Sequence, residues 1–254
     1  MKSTSFAKIF LLLFLFSAVI FPQVKNDHTL FQSSPIAALL NGVMNDNFTV
    51  GEITKHGDFG LGTFNGVDGE MIVLNGKVYR VDNTGKVSQP PKSEKTPFIS
   101  VIYFHADTVI QLNKNLDFNE FDKYLDGKLQ SKNLIYAVKI TGEFKSVKTR
   151  SEAKQTVPYS NLAEVLKNQS VFNFKEIKGT MVGFRFPAYM NGVNIPGYHF
   201  HFLSDNKKSG GHTLDFVTDN VKVEIETVNK IEMNLPESKD FLETNFEKQP
   251  VPGL

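Results

Sequence analysis

The chain has 254 residues, 41% hydrophobic and 22% charged, proportions of a globular protein that exclude a disordered or collagen-like polymer. Lys and Arg number 28 against 27 Asp and Glu, and a net charge of +1 gives no footing for a nucleic-acid or anionic-membrane partner. The absence of cysteine excludes disulfide frameworks, thiolate zinc, iron–sulfur clusters and cysteine nucleophiles together, so any metal must be held by His, Asp or Glu.

At the N-terminus, Lys2 and Lys8 precede an uncharged apolar run from Ile9 to Phe21, the arrangement of a secretory signal peptide. The run falls short of the roughly 20 apolar residues that span a bilayer, so cleavage is expected near Gln23, giving an exported protein with no stable membrane association. Loss of those two lysines takes the net charge from +1 to −1. Further on, Ser34 and Pro35 suggest an N-cap and a first-turn proline opening a short amphipathic helix with Ile36, Leu39, Leu40 and Met44. Two strand-like runs flanking Asn75-Gly76 predict a hairpin, because both turn residues tolerate positive φ. A polar, proline-rich loop over 89–97 precedes a strand over 98–104 and a helix over 118–129. Strands over 134–141 and 144–150 join at Gly142, and Asn161 with Glu164 resembles a capping box for a short helix. Strand patterns then dominate through 180–186, 198–203, 212–216 and 221–233, and a last helix is expected over 238–246.

These elements predict an α+β fold, a mixed α/β architecture of two strand-rich domains with few short helices and mainly antiparallel or mixed sheets. A signal peptide over 1–23 precedes an N-terminal mixed-sheet domain over 24–165 and a C-terminal metal-binding, strand-rich domain over 166–254. Gly60-Leu61-Gly62 lacks the third glycine and the strand-to-helix context of a phosphate loop and reads as an ordinary glycine turn.

The chemistry concentrates between Gly197 and His212. On a strand, His199 and His201 share a face while Tyr198, Phe200 and Phe202 take the other. The polar loop after Leu203 ends in Gly210-Gly211 and can return His212 beside the pair. Three neutral imidazoles with an open position are a catalytic zinc set. His28, His56 and His105 lack such company and read as structural. Glu70 shares a face with Ile72 and Leu74, so its carboxyl is placed for desolvation and proton transfer, unless it is an edge charge facing water. Arg150 shares parity with Phe144 and has the planar fork that suits a substrate carboxylate, although Lys145 and Lys148 also permit a solvated basic face.

Several stretches, in order, carry a likeness: Thr49-Val-Gly-Glu52, His56-Gly-Asp-Phe-Gly-Leu-Gly-Thr-Phe64, Asp68-Gly-Glu70-Met-Ile, Thr149-Arg150-Ser151, Gly179-Thr-Met-Val-Gly-Phe-Arg185, Pro196-Gly-Tyr-His-Phe-His-Phe202 and Gly-Gly-His212. Together, from about Ile36 to Phe241, they resemble alpha-acetolactate decarboxylase. The resemblance implies decarboxylation of 2-acetolactate to acetoin and carbon dioxide on a zinc held by His199, His201 and His212. It implies catalytic roles for Glu70 and Arg150, with Arg150 and Thr63 binding substrate, and a homodimer joined through N-terminal sheets. It also implies a glutamate near the C-terminus that reaches the metal; Glu247 is assigned to it, with Glu243 next. Two other readings stand beside this one. A cupin-like metal oxygenase or isomerase also uses H-x-H on a strand, but no Glu occurs between His201 and His212. A secreted binding protein would close a structural zinc with a fourth side chain. The absence of H-E-x-x-H argues against a metalloprotease.

Overall fold

The computed structural model describes residues 28–247; the expected signal peptide lies outside the described residues. The first half of the chain runs β1 (Thr29–Ser33), α1 (Ile36–Leu40), α2 (Val50–Ile53), β2 (Phe59–Thr63), β3 (Glu70–Leu74), β4 (Lys77–Val81), β5 (Val87–Ser88), β6 (Ile99–Ile102), β7 (Thr108–Asn113) and α3 (Phe118–Asp126). It continues β8 (Ile135–Ser151), α4 (Leu162–Leu166), β9 (Ser170–Phe186), β10 (Gly197–Ser204), β11 (Gly210–Val228), β12 (Lys230–Asn234) and α5 (Lys239–Glu243). The class is the expected one, strand-dominated with few short helices. Among the described residues no helix is long and apolar enough to cross a membrane.

Two sheets carry the fold. One has seven strands in the order β12-β1-β6-β2-β3-β4-β5, and the other has five in the order β10-β9-β8-β11-β7. A further pairing of β10 with the start of β11 closes β10, β9, β8 and β11 into a ring. Sheet membership does not follow one cut near residue 165: β7 and β8 precede it yet belong to the five-stranded sheet, and β12 returns to the edge of the seven-stranded one beside β1. Between the sheets lies a core that includes Leu61, Ile72, Val182, Phe184 and Leu203. On the far face of the five-stranded sheet a second, aromatic core packs Phe144, Phe200, Phe202 and Phe216 with Phe121 of α3.

The Asn75-Gly76 hairpin forms as expected, with φ of 52° and 71° at its two turn residues. Elsewhere the helices expected over 118–129 and 238–246 are shorter, Phe118–Asp126 and Lys239–Glu243, whereas some strands are longer. The expected pair 134–141 and 144–150 is one strand, β8, that passes straight through Gly142. Gly142 has φ +148°, and a side chain there would meet the Asn220 carbonyl oxygen at 2.2 Å, so only glycine lets β11 approach. The run 221–233 divides at Asn229, where the chain leaves one sheet for the other. At α1, Pro35 is the N-cap rather than the first-turn residue, and Ser34, at φ 62°, does not cap. The N–H groups of Ile36 and Ala37 donate instead to the carbonyls of Val193 and Gly192. Gly60 and Gly62 lie within β2, against the β6 side of the sheet, not in a turn.

Candidate active site

The site forms where β10, the start of β11 and the end of β8 meet β2 and β3. His199 and His201 project from the same face of β10. The loop after Ser204 is tied by the Ser204 hydroxyl, which donates to the Ser209 carbonyl and accepts from the Ser209 N–H. This turn sets His212 directly opposite His201 in the β10–β11 register, and His212 in turn lies opposite Arg150 of β8. Gly211 makes the last approach possible: its φ is +131°, and a side chain would meet the Arg150 carbonyl oxygen at 2.5 Å.

The three imidazoles present ligand atoms that all lie within 4.8 Å of one another. His201 Nδ1 lies 2.8 Å from the Met71 carbonyl oxygen. A carbonyl only accepts, so Nδ1 carries the proton and Nε2 keeps its lone pair for a ligand. His199 Nδ1 is buried and has no hydrogen-bond partner among the described residues. Burial pushes the His199 pKa down to about 3 and those of His201 and His212 well below the ordinary value; the Arg150 guanidinium adds to each shift. Neutral, clustered and partly unpartnered, these imidazoles fit a metal ion.

Glu70 opens β3 on the face that meets the five-stranded sheet, opposite Thr63 in the register, with its carboxylate 3.3 Å from His201 Nε2. Burial and the nearby Glu152 carboxylate hold the Glu70 pKa well above the usual carboxylate range, against the opposing pull of Arg150. Thr63 donates its hydroxyl to the Gly69 carbonyl at 2.7 Å, which fixes the chain just before Glu70. Arg150 is 6% exposed, not a solvated charge. Its Nη1 lies 3.2 Å from Gln169 Oε1 and 3.4 Å from Glu152 Oε1, and its Nη2 lies 3.4 Å from His212 Nε2. Its Nε is buried without a partner among the described residues. Thr63, Glu70, Arg150, Glu152 and the three histidines line one cavity. Arg150, His199 and His212 also line a wider outer chamber of about 410 Å³, bordered by Phe118, Gln169, Tyr198 and Leu214.

The alpha-acetolactate decarboxylase family model matches residues 30–248. The chain belongs to this family. A relative named alpha-acetolactate decarboxylase from Brevibacillus brevis is 44% identical over 89% of this chain and 78% of its own length. One from Methanosarcina mazei is 43% identical over 87% and 77%. The crystal structure of alpha-acetolactate decarboxylase from Bacillus subtilis strain 168 superposes with a TM-score of 0.84 at 38% identity, covering 85% of this chain and 93% of that one. Membership in this enzyme family displaces the cupin-like and binding-protein readings.

Of the residues singled out in the sequence, His199, His201, His212, Glu70, Arg150 and Thr63 come together. Glu247 and Glu243 do not. Both are exposed, Glu243 pairing with Lys239, because α5 follows β12 beyond the edge of the seven-stranded sheet. Arg150 is buried for a different reason from the expected shared face with Phe144. Register shifts between β8 and β11 reverse the alternation, so that Phe144 and Val147 both join the aromatic core while Arg150 turns to the site. The other histidines stay apart: His28 pairs with Glu226, His56 stacks on Phe31 and His105 bonds the Tyr103 carbonyl. The sequence reading missed Glu152, which is 2% exposed, and Gln169. Glu152 lies two residues beyond Arg150 and just past the end of β8 at Ser151, where strand alternation gives no signal.

Proposed function

We propose that this chain decarboxylates 2-acetolactate to acetoin and carbon dioxide, with zinc held by His199, His201 and His212. The observation that carries this reading is the convergence of three neutral imidazoles with Glu70 and Arg150 in one buried cavity. Bound zinc supplies a Lewis acid for the negative charge that builds on the substrate oxygens as carbon dioxide leaves.

The chain's own groups do the rest. Arg150, buried with its Nε unpartnered among the described residues, would receive the substrate carboxylate. That contact fixes which carbon–carbon bond breaks, because the carboxylate must stand out of the plane of the ketone for its electron pair to pass there. Glu70, kept protonated by burial, holds the proton that the former carboxyl-bearing carbon needs. The burial of Glu70, 6% exposed, limits the access of water to that proton.

Purified protein incubated with racemic acetolactate is expected to form acetoin, to stop after chelation and to recover on return of zinc. Full turnover in protein verified to be metal-free would contradict the reading. Two companion proposals stand beside this one: a homodimer joined through N-terminal sheets, which the family resemblance implies, its mass read by light scattering, and export by the leader before Gln23, read from the intact mass of the exported protein.

A further inference from the structure

A second buried carboxylate in the site has no part in the steps above. Glu152 is 2% exposed, lines the metal-side cavity, and stands 3.4 Å from Arg150 Nη1. An arginine fork has two usable edges, and which one meets a carboxylate depends on what holds the other. Here Nη1 donates to Gln169 and forms a 3.4 Å ion pair with Glu152, whose carboxylate oxygens have no hydrogen-bond partner among the described residues, while Nε is likewise unpartnered and Nη2 is turned toward His212. The protein carboxylate thus takes the outer corner of the guanidinium, and the side edge keeps one donor, Nε, unpartnered among the described residues. A buried carboxylate stripped of water is stable beside this cation and costly without it, so the pair holds one geometry where a neutral residue would let the long side chain turn.

We propose that Glu152 is a positioning residue for substrate recognition: it fixes Arg150 by Nη1 so that the Nε/Nη2 edge receives the substrate's carboxylate. The proposal rests on the decarboxylase reading above for the identity of the anion, and Gln169 is its neutral helper. The role is one of charge at a fixed place, not of filled space.

The test uses zinc-loaded protein and 2-hydroxy-2-methylpropanoate, which keeps the tertiary hydroxyl and carboxylate of the substrate but lacks the ketone needed for reaction. Its neutral amide is the control. Calorimetry on the wild type is expected to show the anion bound at least about tenfold more tightly than the amide. Glu152→Gln, nearly the same size, is expected to keep zinc, to lose most of that preference and to raise KM for acetolactate. Combining Glu152→Gln with Gln169→Glu returns an anion to the Nη1 side and is expected to restore the preference, a rescue that space-filling does not predict. If Glu152→Gln fails to fold, Glu152→Asp serves: the charge stands farther from Nη1, and a partial loss of preference is expected. An unchanged preference in the folded single variant, no recovery in the double variant, or equal binding of acid and amide by the wild type would each overturn the proposal. Should the wild type make no acetoin while anion preference still follows Glu152, the decarboxylase reading falls and the positioning role stands.

Discussion

The two faces of β10 come from the same eight residues and store opposite kinds of energy. On one face Phe200 and Phe202 enter the aromatic core, with Phe200 edge-on to Phe216 at 6.3 Å between ring centres and Phe202 edge-on to Phe144 at 5.8 Å. Burying each such ring contributes about 1.5–3 kcal/mol, with about 0.5–1.5 kcal/mol more for a well-oriented aromatic pair. On the other face His199 and His201 meet Glu70, Arg150 and Glu152, groups whose burial costs free energy unless each finds a partner. The contrast teaches why the site sits here: the apolar face holds the strand rigid, which lets the polar face keep His199 Nδ1 and Arg150 Nε unpartnered among the described residues.

Breaking the polar face has the largest effect. His201→Ala is expected to lose metal and activity together, because dropping one of three neutral ligands removes affinity as well as geometry, while His105→Ala keeps both; metal analysis beside an acetoin assay checks this. Equal metal loss in the two variants would mean that the wrong histidines have been assigned. On the apolar face, Phe200→Ala should cost about 3–5 kcal/mol in denaturant unfolding. Measured below its melting point, that variant should still hold metal and turn over at close to the wild-type rate per folded chain. A variant that is stable but metal-free would show that the two faces are not separable. Within the site, Glu70→Gln is expected to keep zinc and fold while turnover falls by about 10²-fold, and near wild-type turnover would remove Glu70 from the chemistry.

The smallest expected effect sharpens the comparison from outside the site. On α3, Asp122 has a buried Oδ1 with no partner among the described residues, and burial, reinforced by Asp126 and opposed by Arg185, raises its pKa to about 7. A carboxyl raised in the folded state binds more protons there than in the unfolded chain, so stability falls as pH rises from about 4 to about 7. Asp122→Asn should therefore raise Tm by a few degrees near pH 8 and leave it unchanged near pH 4. The opposite trend in paired melts would rule out this account of Asp122.

Much of the site was legible because it obeys short-range rules. The alternation of His199 and His201, the Gly210-Gly211 return to His212 and the Asn75-Gly76 hairpin that follows Glu70 each depend on a few adjacent residues. What escaped depends on pairing between distant strands. β2 carries two glycines and so shows no strand pattern, yet those glycines are what allow close approach to β6: a side chain at Gly60 would meet the Ser100 carbonyl oxygen at 2.2 Å. The reversal of faces between Phe144 and Val147 comes from register shifts against β11 that no local signal announces. Gln169 was hidden for the same reason, since it reaches Arg150 through the pairing of β9 with β8, whereas Glu152 stands just past the end of β8, where strand alternation no longer marks a face.

The central claim is that the three imidazoles hold the metal on which decarboxylation depends. Its most direct test is a titration of metal-free protein with zinc, following bound metal and acetoin formation in the same samples. Activity is expected to rise in proportion to bound zinc and to stop rising at about one ion per chain in the wild type, with neither binding nor activity in His201→Ala. Acetoin formed at the full rate before zinc is bound, or activity restored by zinc in His201→Ala, would contradict the account.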